Sequence, residues 1–238
     1  MIVTPYRTRR FLAGDKLAGF ITAHVPRPPE RTVVVVTSKI VALSQKRVVE
    51  NASESSFDRT VRAESDFAVK TPYTWLTLKD HMLLASAGVD KSNAGGQLIL
   101  LPRDSFSVAA KLRTALKRRW RRRNLGVLIT DSRLLPLRAG VLGIALGYAG
   151  FQGLRDYRGQ PDLDGRPLRF TETDVADSLA TAAVLTMGEG KERQPLALVT
   201  QASVEFVARV NPRELIIDPA DDIFRPLFGA ALKRRARR

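Results

Sequence analysis

Four consecutive β-branched residues, Val33–Val36, make an apolar run too short for a helix, and they predict a buried strand ending at Thr37-Ser38-Lys39. Beyond it, Ile40–Leu43 either extends that element or turns into a helix. Asp15–His24 reads as a short helix capped by Gly14-Asp15, with Leu17, Phe20 and Ile21 on one face, and Pro26-Arg27-Pro28-Pro29 breaks it. The clearest period lies in Ser105–Arg123, where Val108, Leu112, Leu116 and Trp120 recur every fourth residue; Asp104 or Ser105 is the cap and Asn124-Leu125-Gly126 the stop. Leu125–Thr130 predicts a strand leading into Asp131, and Thr173–Met187 a second amphipathic helix with Val175, Leu179, Ala182 and Ala183 inward. Asn51–Val69 reads as a polar helix and then a loop reaching Pro72. Tyr73–Leu78 and His81–Ala85 predict a hairpin turning at Lys79-Asp80, while Leu196–Val199 and Leu215–Ile217 read as further short strands. Strands and helices intersperse without a regular repeat, so the fold class is mixed α/β or α+β.

At 238 residues the chain can bury a substantial core, as one large domain or two small ones in contact. Its lack of cysteine excludes disulfides, thiolate metal sites and a cysteine nucleophile, and fits a cytoplasmic protein. No hydrophobic signal core follows Met1. Leu134–Phe151 is the one stretch that imitates a membrane span, but Pro136 and Arg138 leave only Ala139–Phe151 uninterrupted, short of the roughly 20 residues a span needs. It reads instead as a buried, glycine-rich strand pair, and no membrane partner is expected.

The net charge of +15 invites a nucleic-acid reading, yet eleven of those charges sit in two runs, Lys117–Arg123 and Lys233–Arg238. A basic helix end complements the helix dipole without any ligand, and the terminal run reads as a disordered tail. With no base-reading aromatics and no reader motif, a nucleic-acid partner is not expected.

Candidate chemistry lies in lone acids that follow apolar runs beside small residues: Asp90 in Ala87–Asn93, Asp131 in Thr130-Asp131-Ser132 and Glu189 in Met187-Gly188-Glu189. Carboxylates delivered from the ends of separate elements suit Mg²⁺ or Mn²⁺, hard cations that share oxygen ligands with phosphate. The competing explanation for each is a turn or helix cap. Neither a P-loop nor a dinucleotide fingerprint is present; Gly140–Gly143 is not set between a strand and a capped helix. Lys39, after the valine strand, is placed to reach a phosphate as a point charge, or to be a solvated surface lysine. Arg155, Arg158 and Arg166 lie among Asp156, Asp162 and Asp164, either as clamps for anionic substrate groups or as partners of those acids. His81 is a candidate base toward an amine, against the commoner structural role of a hairpin histidine.

In order, TSKIVALSQKRVV (37–49), SAGVDKSN (86–93), GVLITDS (126–132), GIALGYAGFQGLRDYRGQPDLDGRPLR (143–169), VADSLATAAVLTMGE (175–189) and DDIFRPL (221–227) resemble the coenzyme F420-0:gamma-glutamyl ligase family. The most specific segments are AGVDKSN and LRDYRGQPDLDGRPL. The resemblance implies a two-part α/β fold, neither P-loop nor Rossmann, with residues 1–232 as one catalytic unit of two intertwined subdomains ahead of the 233–238 tail. It implies a homodimer and a GTP-dependent (or ATP-dependent) ligase that joins L-glutamate to a carboxylated deazaflavin precursor. Two divalent ions, Mg²⁺ or Mn²⁺, are implied, with room for a monovalent cation. Position by position, Asp90 and Asp131 resemble ligands of one ion and Ser132 and Glu189 ligands of the other; Ser38, Lys39 and Asn93 resemble nucleotide contacts. Lys39 and Arg158 are the candidates for catalysis.

The departures are specific. Leu43 stands where the family carries a second lysine, so a phosphate contact is missing or is replaced by Lys46 or Arg47. Where the family reads Asp-Thr-Phe-Gly-Arg-Pro-Trp-Arg, this chain has Asp131-Ser132-Arg133-Leu134-Leu135-Pro136-Leu137-Arg138, which keeps the hydroxyl but loses the aromatic and the glycine. A folate or another carboxylated acceptor is therefore the alternative substrate, and a non-catalytic polyanion- or RNA-binding protein on the same scaffold is the rival class.

Overall fold

The computed structural model describes residues 1–226 other than 13, 51, 52 and 93; the 233–238 tail and Asn93 lie outside the described residues. The chain opens with β1 (Ile2–Tyr6), α1 (Leu17–His24), β2 (Thr32–Thr37) and α2 (Ser38–Ser44). There follow β3 (Val48–Val49), α3 (Glu54–Ala63), β4 (Phe67–Lys70), β5 (Trp75–Lys79), β6 (Met82–Ala85) and β7 (Leu98–Ile99). The remainder is α4 (Ser105–Trp120), β8 (Leu125–Leu134), β9 (Val141–Ala149), β10 (Leu154–Asp156), β11 (Glu172–Asp174), α5 (Val175–Met187) and β12 (Leu196–Thr200). Two compact units result: Met1–Lys46 with Pro102–Leu215, and Arg47–Leu101 with Ile216 onward.

The first unit is built on a five-stranded sheet in the order β1-β12-β2-β8-β9, in which β2 and β8 run parallel and the other neighbours antiparallel. Helices cover both faces. Val34, Val36, Val127 and Ile129 pack with Phe20 and Ile21 of α1 and Leu112, Leu116 and Trp120 of α4. Val33, Val35 and Leu128 pack on the opposite face with Leu179, Ala183 and Met187 of α5. The valine run lacks alternation because both of its faces are buried in this way. Pro5 is accommodated because β1 is an edge strand.

Several sequence expectations need correcting. Asp15 does not cap α1: its carboxylate takes the Leu12 N–H and a two-pronged pair from Arg9 (both 2.7 Å), and Lys16 is the cap residue. Arg121 in a left-handed conformation (φ 51°) ends α4 three residues before Arg123. The expected loop after α3 contains β4, which pairs with β5. Leu134–Phe151 is one strand and an exposed turn rather than a strand pair: Leu134, Leu137, Val141 and Leu142 face solvent. Leu215–Ile217 forms no strand. The hairpin is present as β5–β6, but it turns on Asp80-His81, both at positive φ.

The second unit has a meander, β4-β5-β6, a short β3–β7 pair and α3 around a core of Val61, Trp75, Ala87, Val89, Leu98 and Leu100. Glu64 joins Arg47 (2.6 Å) to Lys79 (2.9 Å). Burial works against the ionised carboxyl, but the two cations outweigh it and hold its pKa below the ordinary range. Among the described residues, no helix is long and apolar enough to cross a membrane.

Candidate active site

The parallel pair β2–β8 aligns Thr37 with Thr130. Neighbouring strands lie about 4.8 Å apart, so Ser38-Lys39, at the start of α2, adjoin Asp131-Ser132 on the continuing β8. Ser38 is buried and Lys39 half-buried. The β8–β9 register slips between Ile129 and Thr130, leaving Leu146 as an extra residue on β9 just before Asp131. Irregularities of this kind re-aim the side chains that follow. Asp131 Oδ1 accepts the Ser132 N–H at 2.9 Å.

Glu189 arrives from the other helical layer. The N–H of Gly188 closes α5 onto Val184, and its φ of 80° turns the chain so that Glu189 follows at once. That angle is strained for an L-residue, so glycine is the residue that permits the turn. The Ser132 hydroxyl lies 3.4 Å from Glu189 Oε2. Adjacent oxygens of an octahedral Mg²⁺ shell are about 3 Å apart, so this hydroxyl and carboxylate fit one edge of such a shell. The donor set, all oxygen, also fits. Among the described residues no three acidic or histidine side chains form a preformed cage.

In the second unit, Asp90 forms an isolated bridge with Ile99, exchanging both backbone hydrogen bonds at 2.9 Å. Its carboxylate also takes the Ser92 N–H (2.6 Å) and hydroxyl (3.1 Å). Arg158 pairs two-pronged with Asp156 and reaches Glu172 at 3.0 Å on the surface. Hydrogen bonding to Arg158 holds the Asp156 carboxyl below its ordinary range. Arg155 donates to Ser203 O and Tyr157. His81 is an exposed turn residue. Leu43 packs on the apolar core of its layer, and Arg47 is held by Glu64 and the Leu101 carbonyl.

One cluster was not foreseen. Asp174 caps α5 through the Asp177 N–H, and burial pushes its carboxyl up to about 6. Burial likewise raises Asp177, which accepts the Ala145 N–H and faces Arg133 at 3.6 Å. Arg133 Nε is buried without a hydrogen-bond partner among the described residues. The available signal was Asp174 three residues before Asp177, a capping spacing hidden by starting the helix at Thr173.

The model of the F420-0:gamma-glutamyl ligase family matches residues 6–201, which contain every element described above apart from the first residues of β1. The chain belongs to that family. It is 33% identical to a coenzyme F420:L-glutamate ligase of Methanopyrus kandleri, over 91% of this chain and 94% of the relative. The enzyme of the same name from Methanococcus maripaludis strain C7 is 29% identical over 82% of this chain and 86% of its own length. That from Methanocaldococcus jannaschii is 37% identical over 62% of this chain and 58% of its own. For this family member, the fold is the mixed α/β arrangement expected, and it is neither a P-loop nor a Rossmann fold.

Proposed function

We propose that this protein is a ligase that forms an amide between L-glutamate and a carboxylated deazaflavin precursor, using GTP and divalent cations. The observation that carries the reading is the meeting of Ser132 and Glu189 beside Asp131, where β2 ends and its parallel partner β8 runs on, in a member of this family. Strand ends of this kind recur as ligand sites in open α/β sheets.

A carboxylate is a poor acyl donor because oxide is a poor leaving group. In the proposed sequence an acceptor carboxylate oxygen attacks the γ-phosphorus and the nucleoside diphosphate leaves. The glutamate amine then attacks the acyl carbon, phosphate departs, and the ammonium proton passes to solvent or phosphate. Divalent ions, when bound, supply charge stabilisation for the transferring phosphoryl group. Asp131, Ser132 and Glu189 would hold such an ion, and their negative charge offsets part of its own. Lys39 would contact a phosphate as a point charge. The Ser38 hydroxyl is a nucleotide contact in this scheme, and the same role is proposed for Asn93. Asp90 is proposed as a metal ligand on the family resemblance. Arg158, engaged by Asp156 and Glu172, would have to exchange those partners to take a substrate carboxylate.

The test combines binding and turnover. GTP or ATP with Mn²⁺ or Mg²⁺ should raise the melting temperature, since a ligand selective for the folded state must stabilise it. Incubation with glutamate, nucleotide and either the deazaflavin precursor or folate, read by mass spectrometry, identifies the acceptor. Asp131→Asn and Asp90→Asn should each lower turnover by at least about 100-fold, on the scale of lost electrostatic stabilisation. No shift with any nucleotide–metal pair, together with no glutamylated product, would overturn the proposal.

A further inference from the structure

The last turn of α4 carries Lys117, Arg118 and Arg119, and Arg121–Arg123 follow it. No acidic residue occurs from Ser105 to Arg123. Arg118 and Arg119, with Arg27 from the segment after α1, line an open surface groove of about 610 Å³. Ala18, Leu116 and Trp120 give that groove an apolar floor. All three arginines are exposed and form no ion pair among the described residues. Glu30, on the segment that follows Arg27, is already taken by the N–H groups of Arg123 and Asn124.

Helix-dipole compensation accounts for the basic residues of the last turn of α4 but not for Arg27 beside them. The Lys117 carbonyl at the helix end already receives N–H groups from Arg121 and Arg122, and Arg27 is not on this helix. The groove also lies away from the candidate active site. Residues 121–124 lead from α4 into the start of β8 at Leu125, and Asp131 is six residues further along that strand, about 20 Å at the strand rise.

We propose that this groove is a second, metal-independent site for a compact polyphosphate, a ligand with two or more linked phosphates. Each guanidinium offers a planar fork that matches a pair of phosphate oxygens. Three arginines lining one groove suit a linear chain of phosphates better than a single ion. The volume lies within the roughly 300–1,000 Å³ of small-molecule sites, so the apolar floor leaves space for a nucleoside attached to the chain.

The test is isothermal titration of the full chain with inorganic triphosphate, and separately with ATP, both in EDTA at 50 mM and 150 mM salt. The expected result is one saturable site that weakens with salt, loses at least tenfold affinity in the Arg118→Ala/Arg119→Ala double variant, and keeps its affinity in Asp131→Asn. Tighter binding of ATP than of triphosphate identifies a nucleotide as the ligand; equal or weaker binding identifies the bare phosphate chain. Three results overturn the proposal: no binding at millimolar ligand in 50 mM salt, binding indifferent to the double variant, or binding abolished by Asp131→Asn. A single-stranded RNA 20-mer that binds through these arginines while triphosphate does not would overturn it as well.

Discussion

Replacing Gly143 with alanine tests how closely α5 is seated on the sheet. An added Cβ would lie 2.5 Å from the Ala180 carbonyl carbon and 2.8 Å from Thr181 N, both backbone atoms of α5. Carbon–carbon contacts are comfortable near 3.5 Å, so the helix would have to retreat by about 1 Å. Overpacking of this kind costs about 1–3 kcal/mol. The retreat also stretches the 2.9 Å hydrogen bond from the Thr181 hydroxyl to Gly143 O, worth about 1 kcal/mol. The sum, about 2–4 kcal/mol, corresponds to a melting temperature roughly 5–15 °C lower for a chain of this size. Ser132 faces Gly143 across β8–β9 and Glu189 closely follows α5, so the same retreat widens the 3.4 Å approach between them. If the proposed function holds, any stabilisation by GTP and Mn²⁺ should therefore weaken more than the loss of fold stability accounts for. Gly19→Ala is the control: nothing lies within 4 Å of its added Cβ, and in the first turn of α1 it should be neutral or gain up to about 0.5–1 kcal/mol. Thermal unfolding followed by circular dichroism decides the matter. A Gly143→Ala melting temperature within about 2 °C of the parent would refute the seating.

Other perturbations address single groups. Tyr148→Phe removes the hydroxyl that donates to Glu214 Oε1 at 2.6 Å, an oxygen also used by the Gly153 N–H, and urea unfolding should show a loss of about 1.5–3 kcal/mol. Asp174 has its pKa raised in the folded state, so its contribution is present below about pH 4 and is lost as pH rises through about 6. Asp174→Asn keeps a helix cap but removes that loss; at pH 8 it should be more stable than the parent by about 1–3 kcal/mol, and at pH 4 nearly equal. A constant difference from pH 4 to pH 8 would contradict this. Arg121 ends α4 at φ 51°, where glycine carries no Cβ strain, so Arg121→Gly should raise stability by about 1 kcal/mol.

The elements that carried their own period were legible in the sequence. Val33–Val36, the four-residue spacing of Leu112, Leu116 and Trp120, and the α5 pattern all found their structures because local preference and burial agree there. The errors arose where a tertiary partner decided. Asp15 has the sequence of a cap, but Arg9 claims it; Phe67–Lys70 is polar enough for a loop, but β5 recruits it. The glycines of Leu134–Phe151 suggested burial by composition, whereas Gly143 and Gly147 mark points where helix backbone touches one strand. At the candidate site, the nearness of Ser132 to Glu189 could be inferred only through family resemblance, since no spacing rule joins positions so far apart. The Asp174–Asp177–Arg133 cluster had no motif to announce it. Its chemistry comes from desolvation, which depends on the finished packing.

The stem of the second unit bears on how the chain assembles. The Leu100 N–H reaches the Arg47 carbonyl at 3.0 Å, Arg47 Nε reaches Leu101 O at 3.1 Å, and β3 pairs with β7, so this excursion leaves and returns at neighbouring points. Thr32 must find Leu125, about 90 residues downstream, before the central sheet can close. Once the stem is fastened, the effective separation shrinks to roughly 40 residues, which lowers the entropic cost of that closure by about 1 kcal/mol. During synthesis, β2 therefore waits for a partner that arrives on a shortened tether.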